Sequence, residues 1–306
     1  MTVPHNSDII PIVSLLSSFG FARNSACWED EGTRRKQCNG EQMKVAIVGK
    51  GGVGKTTVAA LLARRAVALG RQVVAVDADP DGNLASALGV PEQEVPEPIA
   101  AMRELILERT EAKDEGAGLI FRLNPEVEDL PERFSVSAGG VRLLVLGTVE
   151  AGGKGCMCPE GAVLKALMQH LLLRVDDDVV LDMEAGLEHI GRASARGVDA
   201  MIAVVEPGMR SVRTATRIRQ LARQIGIDAF FFVANRVRSA EEEAALRKCL
   251  AEEAMLGVLP YSEELARADL EDRSVEAAEA TLAEPVARVA EGLEQRMPRH
   301  ASAAAG

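Results

Sequence analysis

The residues of this chain that could do chemistry begin with a glycine-rich loop able to surround a phosphate group. The pattern G-x-x-x-x-G-K-[ST] is matched by Gly49, Gly54, Lys55 and Thr56. Glycines let the backbone curl until successive N–H groups face one phosphate, and the helix that follows directs its positive end at the anion. We expect Lys55 to reach the β- and γ-phosphates of ATP or ADP and the Thr56 hydroxyl to bind Mg²⁺. The predicted nucleotide contacts come from Gly51, Gly52, Val53, Gly54, Lys55, Thr56 and Thr57.

Two further features narrow the interpretation of this loop: a second lysine restricts the class of protein, and the flanking segments argue against a chance match. A second lysine, Lys50, lies near its start. The loop also follows the apolar, β-branched run 45–48 and precedes the Ala- and Leu-rich segment 57–69. These segments predict the buried strand and the helix that a phosphate-binding loop requires.

Carboxylates follow two other predicted strands of the chain. Asp77, Asp79 and Asp81 come after one strand, and Asp182 and Glu184 end another. Ligands of open parallel sheets bind beyond the carboxyl ends of the strands, so carboxylates there can organise Mg²⁺ and position an attacking water. Asp79 and Asp182 are the stronger candidates. The alternative is that these carboxylates are solvated turn residues without a role in binding.

A Cys-x-Cys pair is the third candidate site. Cys156 and Cys158 lie in a glycine-containing turn, and Pro159 is a favourable first residue for the predicted helix 161–174. A helix N-terminus favours thiolates there. Two cysteines are too few for the four-ligand site that Zn²⁺ prefers, but a two-fold dimer could combine both pairs. Inert buried thiols remain the alternative. His170 and His189 are better explained by structural roles.

The elements that must position these residues alternate along the chain from Met43 onward. Strands are predicted at 43–48, 73–76, 142–146, 179–183, 201–205 and 230–234, and further helices at 211–224 and 240–253. This alternation predicts an α/β fold, a mostly parallel doubly wound sheet with helices on both faces. The charged, Pro-containing region 91–134, with a weak helix near 99–110, is expected to lie over one edge of the sheet.

Composition excludes several classes of protein. The 306-residue chain is acidic, with a net charge of −11, and shows no evident basic stripe, so a nucleic-acid partner is not expected. No apolar run is long enough to span a bilayer, so no membrane role is expected. Five cysteines in a chain of this length fit the reducing cytoplasm. We expect a single P-loop domain at 43–295, a frayed tail at 296–306, and at 1–42 a disordered extension or a mis-assigned translation start.

These residues resemble the deviant Walker A ATPases of the SIMIBI class of P-loop NTPases, a group that includes the MinD and ParA proteins. Lys50, Asp79 and the segment Asp182-x-x-Ala185-Gly186 match the three signatures of that family. The resemblance implies a homodimer in which Lys50 reaches the phosphates across the interface. It also implies that Asp79 orients the attacking water, that Asp182 binds Mg²⁺ through water, and that Asn235 hydrogen-bonds adenine. A strand-end cap is the alternative role for Asn235.

Within that family the chain closely resembles CooC-type proteins. The resemblance rests on the loop at 50–56, the segment Gly155-Cys156-Met157-Cys158-Pro159-Glu160 and the segment 182–189, which reads DMEAGLEH. It implies an ATPase that inserts nickel into carbon monoxide dehydrogenase, its client enzyme. By this hypothesis ATP closes the dimer, and Cys156 and Cys158 of both subunits then hold Ni²⁺ or Zn²⁺, since thiolates do not select between these ions.

Three other interpretations of the sequence remain open. A MinD/ParA-type partitioning or positioning ATPase would need a membrane- or DNA-binding surface, and the segment 283–297 is only faintly amphipathic. A redox ATPase like the nitrogenase iron protein would share an iron–sulfur cluster between subunits, but its cysteines lie in separate segments. A metal-storage module would keep Cys156 and Cys158 without needing Lys50, Lys55 or Asp182.

Overall fold

A computed structural model describes residues 42–80, 82–114, 119–148, 158–184, 197–250 and 252–297. Eight strands form one sheet in the order β10-β9-β8-β1-β7-β2-β6-β5, and β3 and β4 form a separate antiparallel pair. Every neighbouring pair in the large sheet is parallel except β5 and β6. The strands are β1 Lys44–Gly49, β2 Val73–Ala78, β3 Lys113–Asp114, β4 Leu119–Ile120, β5 Val136–Ala138, β6 Val141–Val145, β7 Asp178–Met183, β8 Ala200–Val205, β9 Phe230–Val237 and β10 Met255–Pro260.

Helices connect the strands and cover both faces of the sheet. They are α1 Lys55–Ala68, α2 Leu84–Leu88, α3 Arg103–Thr110, α4 Leu130–Phe134, α5 Pro159–Leu173, α6 Met209–Gln224, α7 Ala240–Cys249, α8 Glu263–Leu270 and α9 Glu279–Arg296. The central strands are buried along their whole length because helices pack on each side, which explains their nearly continuous apolar sequences.

Alternate residues of each strand enter two separate cores. Val45 and Ile47 of β1 belong to the core beneath α1 and α9. Ala46 and Val48 belong to the core beneath α5 and α6. The two-residue period of a strand produces this division. Together the two cores hold the carboxyl ends of β1, β2 and β7 side by side.

The predicted α/β class and the predicted strands are confirmed, with bounds that differ by at most three residues. Helix α1 begins at Lys55 rather than at residue 57 because Gly54, in a left-handed conformation, turns the loop directly into the helix. Helix α7 ends at Cys249, and a 3₁₀ turn at Glu252–Ala254 follows. The weak helix near 99–110 is instead a 3₁₀ turn at Ile99–Ala101 followed by α3.

Several features of the fold were not predicted. Strand β10 and helix α9 are absent from the sequence-based expectation, although α9 packs Leu282, Val286 and Val289 into the core. In the described part of 91–134, α3 packs against α5. The expectation of no basic stripe is wrong, because α6 carries five arginines and no acidic residue. The sequence does not show this stripe as a continuous basic run, because other residues separate the arginines along the chain.

Candidate functional site

The glycine-rich loop links β1 to α1 at the carboxyl end of the sheet. At Gly54 φ is +88°, and a Cβ there would lie 2.4 Å from the side-chain nitrogen of Asn235. Glycine is therefore required at this position by both conformation and space. At Gly51 and Gly52 an added Cβ would meet nothing within 4 Å. The space above these two residues is open for a ligand.

The end of β9 holds the loop in place through two consecutive side chains. Asn235 Nδ2 donates a 2.8 Å hydrogen bond to the Val53 carbonyl, and Arg236 Nη1 donates one of 2.8 Å to the Gly52 carbonyl. Arg236 adopts a left-handed conformation, with φ of 58°, that is uncommon for a residue with a side chain. Because both bonds occupy loop carbonyls, they define the orientation of the peptide groups between them. The adenine contact predicted for Asn235 stays a prediction.

The two lysines of the loop have different environments. Lys55 is 7% exposed, and its Nζ lies 3.2 Å from Asp79 Oδ2. Lys50 is 41% exposed, and its Nζ lies 3.8 Å from Glu206 Oε1, beyond the end of β8. Lys55 is therefore fixed inside the site, whereas Lys50 lies at its rim, where an exposed ion pair contributes little to stability.

Asp182 lies at the centre of the carboxyl edge and is fully buried. In the register of the sheet it is opposite Ile47 of β1 and Asp77 of β2. Neither of its carboxylate oxygens accepts a hydrogen bond of normal geometry from the described residues. Burial raises the pKa of Asp182 to about 7, although the nearby Thr56 hydroxyl opposes this change. A buried carboxylate without partners is costly, and a cation would remove that cost.

Asp77 has a positioning role. Its two oxygens accept hydrogen bonds from the Leu84 amide at 2.9 Å and the Asp79 amide at 3.2 Å. Burial raises its pKa to about 6, and these two bonds oppose the rise. Asp77 thereby fixes the turn that holds Asp79 and starts α2. Asp77 and Asp79 also raise the pKa of Asp182, because like charges lie close together at this edge of the sheet.

Cys158 is the described member of the Cys-x-Cys pair. It precedes α5, and its sulfur accepts a 3.3 Å hydrogen bond from the Gly161 amide. Pro159 is the first helical residue, as its position in the sequence predicts. A sulfur that receives an N–H group at a helix start lies where negative charge is stabilised. His170 is twelve residues further along α5, about 18 Å away.

Other predicted residues lie outside the described part of the chain: Cys156, Asp81, Ala185, Gly186 and His189. Within the described ranges, no three His, Cys, Asp or Glu side chains form a group that could hold a metal ion. No helix in those ranges is both long and apolar enough to cross a membrane.

The described residues fit a nucleotide with Mg²⁺. The open space over Gly51 and Gly52 adjoins the start of α1, where anions bind favourably. Lys55 lies beside it, and the unpartnered oxygens of Asp182 supply the hard ligands that Mg²⁺ prefers, directly or through water. The fold and this site define a P-loop nucleotide-binding protein.

Comparison with known proteins identifies the family. Residues 44–275 match the family described as the CobQ/CobB/MinD/ParA nucleotide-binding domain. The chain is 44% identical over 229 residues to the carbon monoxide dehydrogenase accessory protein CooC of Rhodospirillum rubrum, covering 74% of this chain and 87% of that protein. It is also 44% identical to an uncharacterized ATP-binding protein of Methanocaldococcus jannaschii, covering 74% and 88%. The chain therefore belongs to the CobQ/CobB/MinD/ParA nucleotide-binding family, and its predicted resemblance to CooC-type proteins is confirmed.

A solved structure agrees on the fold. A plasmid partition protein from Borrelia burgdorferi bound to AMPPNP superimposes with a TM-score of 0.60 at 15% identity, covering 84% of this chain and all of that one. At that identity the comparison concerns the fold alone.

Two residues of the site were missed by sequence-based reasoning. Glu206 directly follows β8, so the rule that found Asp79 and Asp182 could also have found it. Arg236 follows Asn235 at the end of β9, but nothing in the surrounding sequence indicates that the Arg236 side chain turns back to the loop. That contact depends on the left-handed backbone at Arg236, which only the folded chain reveals.

Proposed function

We propose that this protein is an ATP-hydrolysing maturation factor of the cytoplasm that inserts nickel into carbon monoxide dehydrogenase. The observation that carries the proposal is the combination, in one chain, of a nucleotide loop and a Cys-x-Cys pair that leads into α5. The 44% identity to an accessory protein of carbon monoxide dehydrogenase supports the choice of client.

The residues of the nucleotide site divide the work of hydrolysis. Lys55 and the loop amides bind the phosphates, and Thr56 and Asp182 hold Mg²⁺, which when bound neutralises charge on the phosphates. Asp79 orients the attacking water, and its position 3.2 Å from Lys55 supports this role. Lys50 completes the site from the partner subunit, where its charge stabilises the transition state. The exposure of Lys50 supports this assignment.

The metal site forms between subunits. Cys156 and Cys158 of each protomer supply four sulfur ligands to one ion, Ni²⁺ or Zn²⁺. Pairing of the subunits around ATP brings the four thiolates together, and hydrolysis loosens the pair so that the ion passes to the client. The hydrogen bond from the Gly161 amide to Cys158 supports a thiolate at this position.

The test is metal stoichiometry measured together with oligomeric mass, with and without ATP and Ni²⁺ or Zn²⁺. We expect one ion per dimer in the parent protein and none in the Cys156→Ser/Cys158→Ser variant, which should still bind nucleotide. Cys249→Ser is the matched control because Cys249 is an exposed cysteine on α7. Metal-dependent dimers that persist without Cys156 and Cys158 would contradict the shared site.

The alternatives predict other results in the same experiment. A brown anaerobic preparation with iron and sulfide would indicate a redox ATPase. Absence of cysteine-dependent metal, with binding to liposomes or DNA in sedimentation, would indicate a partitioning or positioning ATPase. Cysteine-dependent metal without any ATP turnover in the presence of client would indicate a storage module.

A further inference from the structure

Helix α6 has a charge distribution unlike that of the chain as a whole. It contains Arg210, Arg213, Arg217, Arg219 and Arg223 and no acidic residue. Since the net charge of the chain is −11, removing these five positive charges leaves −16 on the remainder. A helix of 16 residues, about 24 Å long, therefore carries a concentrated positive field on an acidic protein.

Three of these arginines share one exposed side of α6. Arg210, Arg213 and Arg217 recur at spacings of three and four, which places them on the same side of a helix. Val212, Ala215 and Ile218 form the opposite side and are buried in the core. Packing thus requires no positive charge at Arg210, Arg213 or Arg217, and neutral polar residues would serve as well on this exposed side.

Apolar side chains lie among the arginines. Met209 is 54% exposed and Leu221 is 38% exposed. At 100° per residue, these two and the three arginines fall within about 120° of the helix circumference. We call these five residues the arginine face. Arginine and methionine are both enriched in protein–protein interfaces, where their long side chains combine charge with apolar contact.

The arginines of this face are not neutralised within the described part of the chain. No carboxylate there lies within ion-pair distance of Arg210, Arg213 or Arg217, whereas Arg247 on α7 and Arg288 on α9 each pair with a glutamate four residues earlier. Among the described residues, the arginines of the arginine face therefore have no carboxylate partner inside the chain and can pair with one on another protein.

We propose that the arginine face docks an acidic patch on the surface of the client enzyme, an inference that rests on the proposed function. A folded acidic patch fits better than nucleic acid for two reasons. The exposed Met209 and Leu221 can make apolar contacts with a folded protein, which a phosphate backbone does not offer. The charge of −16 on the remainder would also repel a long polyanion that extends beyond the helix.

The position of the face links it to the nucleotide. The Glu206 amide donates a 3.2 Å hydrogen bond to the Ser211 hydroxyl in the first turn of α6. The Glu206 carboxylate is the group that pairs with Lys50. A client docked on α6 would therefore lie close to Glu206, which pairs with the lysine that is proposed to act across the dimer.

The test measures binding of purified carbon monoxide dehydrogenase lacking nickel to the parent protein and two variants. Arg210→Glu/Arg213→Glu/Arg217→Glu reverses the arginine face. The matched control, Arg267→Glu/Arg273→Glu/Arg288→Glu, makes the same change of charge at exposed arginines on or next to α8 and α9, whose packing belongs to the other face of the sheet. We expect the first variant to weaken binding by about tenfold or more and the control by less than about twofold, with parent binding weakened by added salt.

Three results would overturn the inference. The first is equal binding of client by the parent and the reversed variant. The second is no binding of client by the parent. The third is binding of a 30-base-pair duplex DNA that the reversed variant loses, which would assign the face to nucleic acid. Nucleotide binding and metal stoichiometry of the reversed variant are read separately, so a failure of the docking face is distinguishable from a failure of the proposed function.

Discussion

The two ends of the central sheet each bury a lysine among aspartates, yet they differ in how these charges are satisfied. At the carboxyl end, Lys55 lies beside Asp79, with Asp182 nearby. At the amino end, Lys44 lies among Asp177, Asp178 and Asp199. The residue types are almost the same, so composition does not distinguish the two clusters.

The amino end is closed by the protein itself. Asp178 accepts a 2.8 Å hydrogen bond from the Met43 amide and pairs with Arg71. Asp199 accepts one of 2.7 Å from the Lys44 amide, and the Lys44 ammonium donates to the Val175 carbonyl at 2.6 Å. Burial lowers the pKa of Lys44, and Asp178 is the largest opposing influence. This cluster ties β1, β7 and the start of β8 together.

The carboxyl end is left incomplete. Both oxygens of Asp182 lack hydrogen-bond partners among the described residues, and the space over the glycine-rich loop is open. A charge cluster that the chain satisfies stabilises the fold, whereas one that it leaves unsatisfied is available to a ligand. The functional end of the sheet is therefore identified by whether its charged groups have partners within the protein, and not by how many charged groups it contains.

Replacing one aspartate at each end with its neutral isostere tests this difference most strongly. Asp178→Asn should lower the free energy of unfolding by about 3 kcal/mol, because it leaves Arg71 and Lys44 without a buried counter-charge. Asp182→Asn should leave it unchanged or raise it, since the cost of burying the Asp182 charge exceeds the opposing contributions of Thr56 and Lys55. Urea unfolding at pH 7.5 in EDTA without nucleotide measures both values. Equal losses would show that the two clusters are both structural.

The effect of Asp182→Asn should depend on pH. In the folded protein the pKa of Asp182 is raised to about 7, while in the unfolded chain it is near 3.8. The folded state therefore keeps a proton that the unfolded state loses, and the contribution of Asp182 to stability declines as pH rises from about 4 to about 7. The advantage of Asp182→Asn over the parent should be largest above pH 7 and fall toward zero near pH 4. Unfolding curves at five pH values in EDTA measure it. A constant difference would mean that Asp182 is charged throughout this range.

Much of the nucleotide site was predictable because its chemistry is local in sequence. The loop at 50–56 and the residues that end β2 and β7 stand next to apolar strands, and parallel strands bring their ends together. Lys55, Asp79 and Asp182 were found in this way. Cys158 was placed before a helix because Pro159 favours the first helical position.

The features that were missed depend on contacts between distant segments. Strand β10 contains Gly257 and ends at Pro260, so its sequence alone resembles a loop. Helix α9 contains Pro285, which lowers its apparent helix propensity, but packing on α1 and β10 compensates. The ion cluster of Lys44 was also missed, because its partners lie more than 130 residues away in the chain.

At the carboxyl end, two carbonyl groups of the glycine-rich loop do have hydrogen-bond partners within the chain. Variants of Arg236, which donates one of these bonds, test whether they matter for nucleotide binding. Arg236→Ala should weaken ATP binding by about tenfold, since it removes the hydrogen bond to the Gly52 carbonyl that helps to hold the loop open for phosphate. Arg236→Gly should behave alike, although glycine adopts the left-handed backbone at this position without strain. Isothermal titration with ATP and Mg²⁺ measures both variants. The matched control is Arg238→Ala, because Arg238 lies 4.3 Å from the Tyr261 ring and not on the loop. If Arg236→Gly binds ATP like the parent while Arg236→Ala binds it more weakly, the backbone conformation matters at this position and the side-chain contact does not.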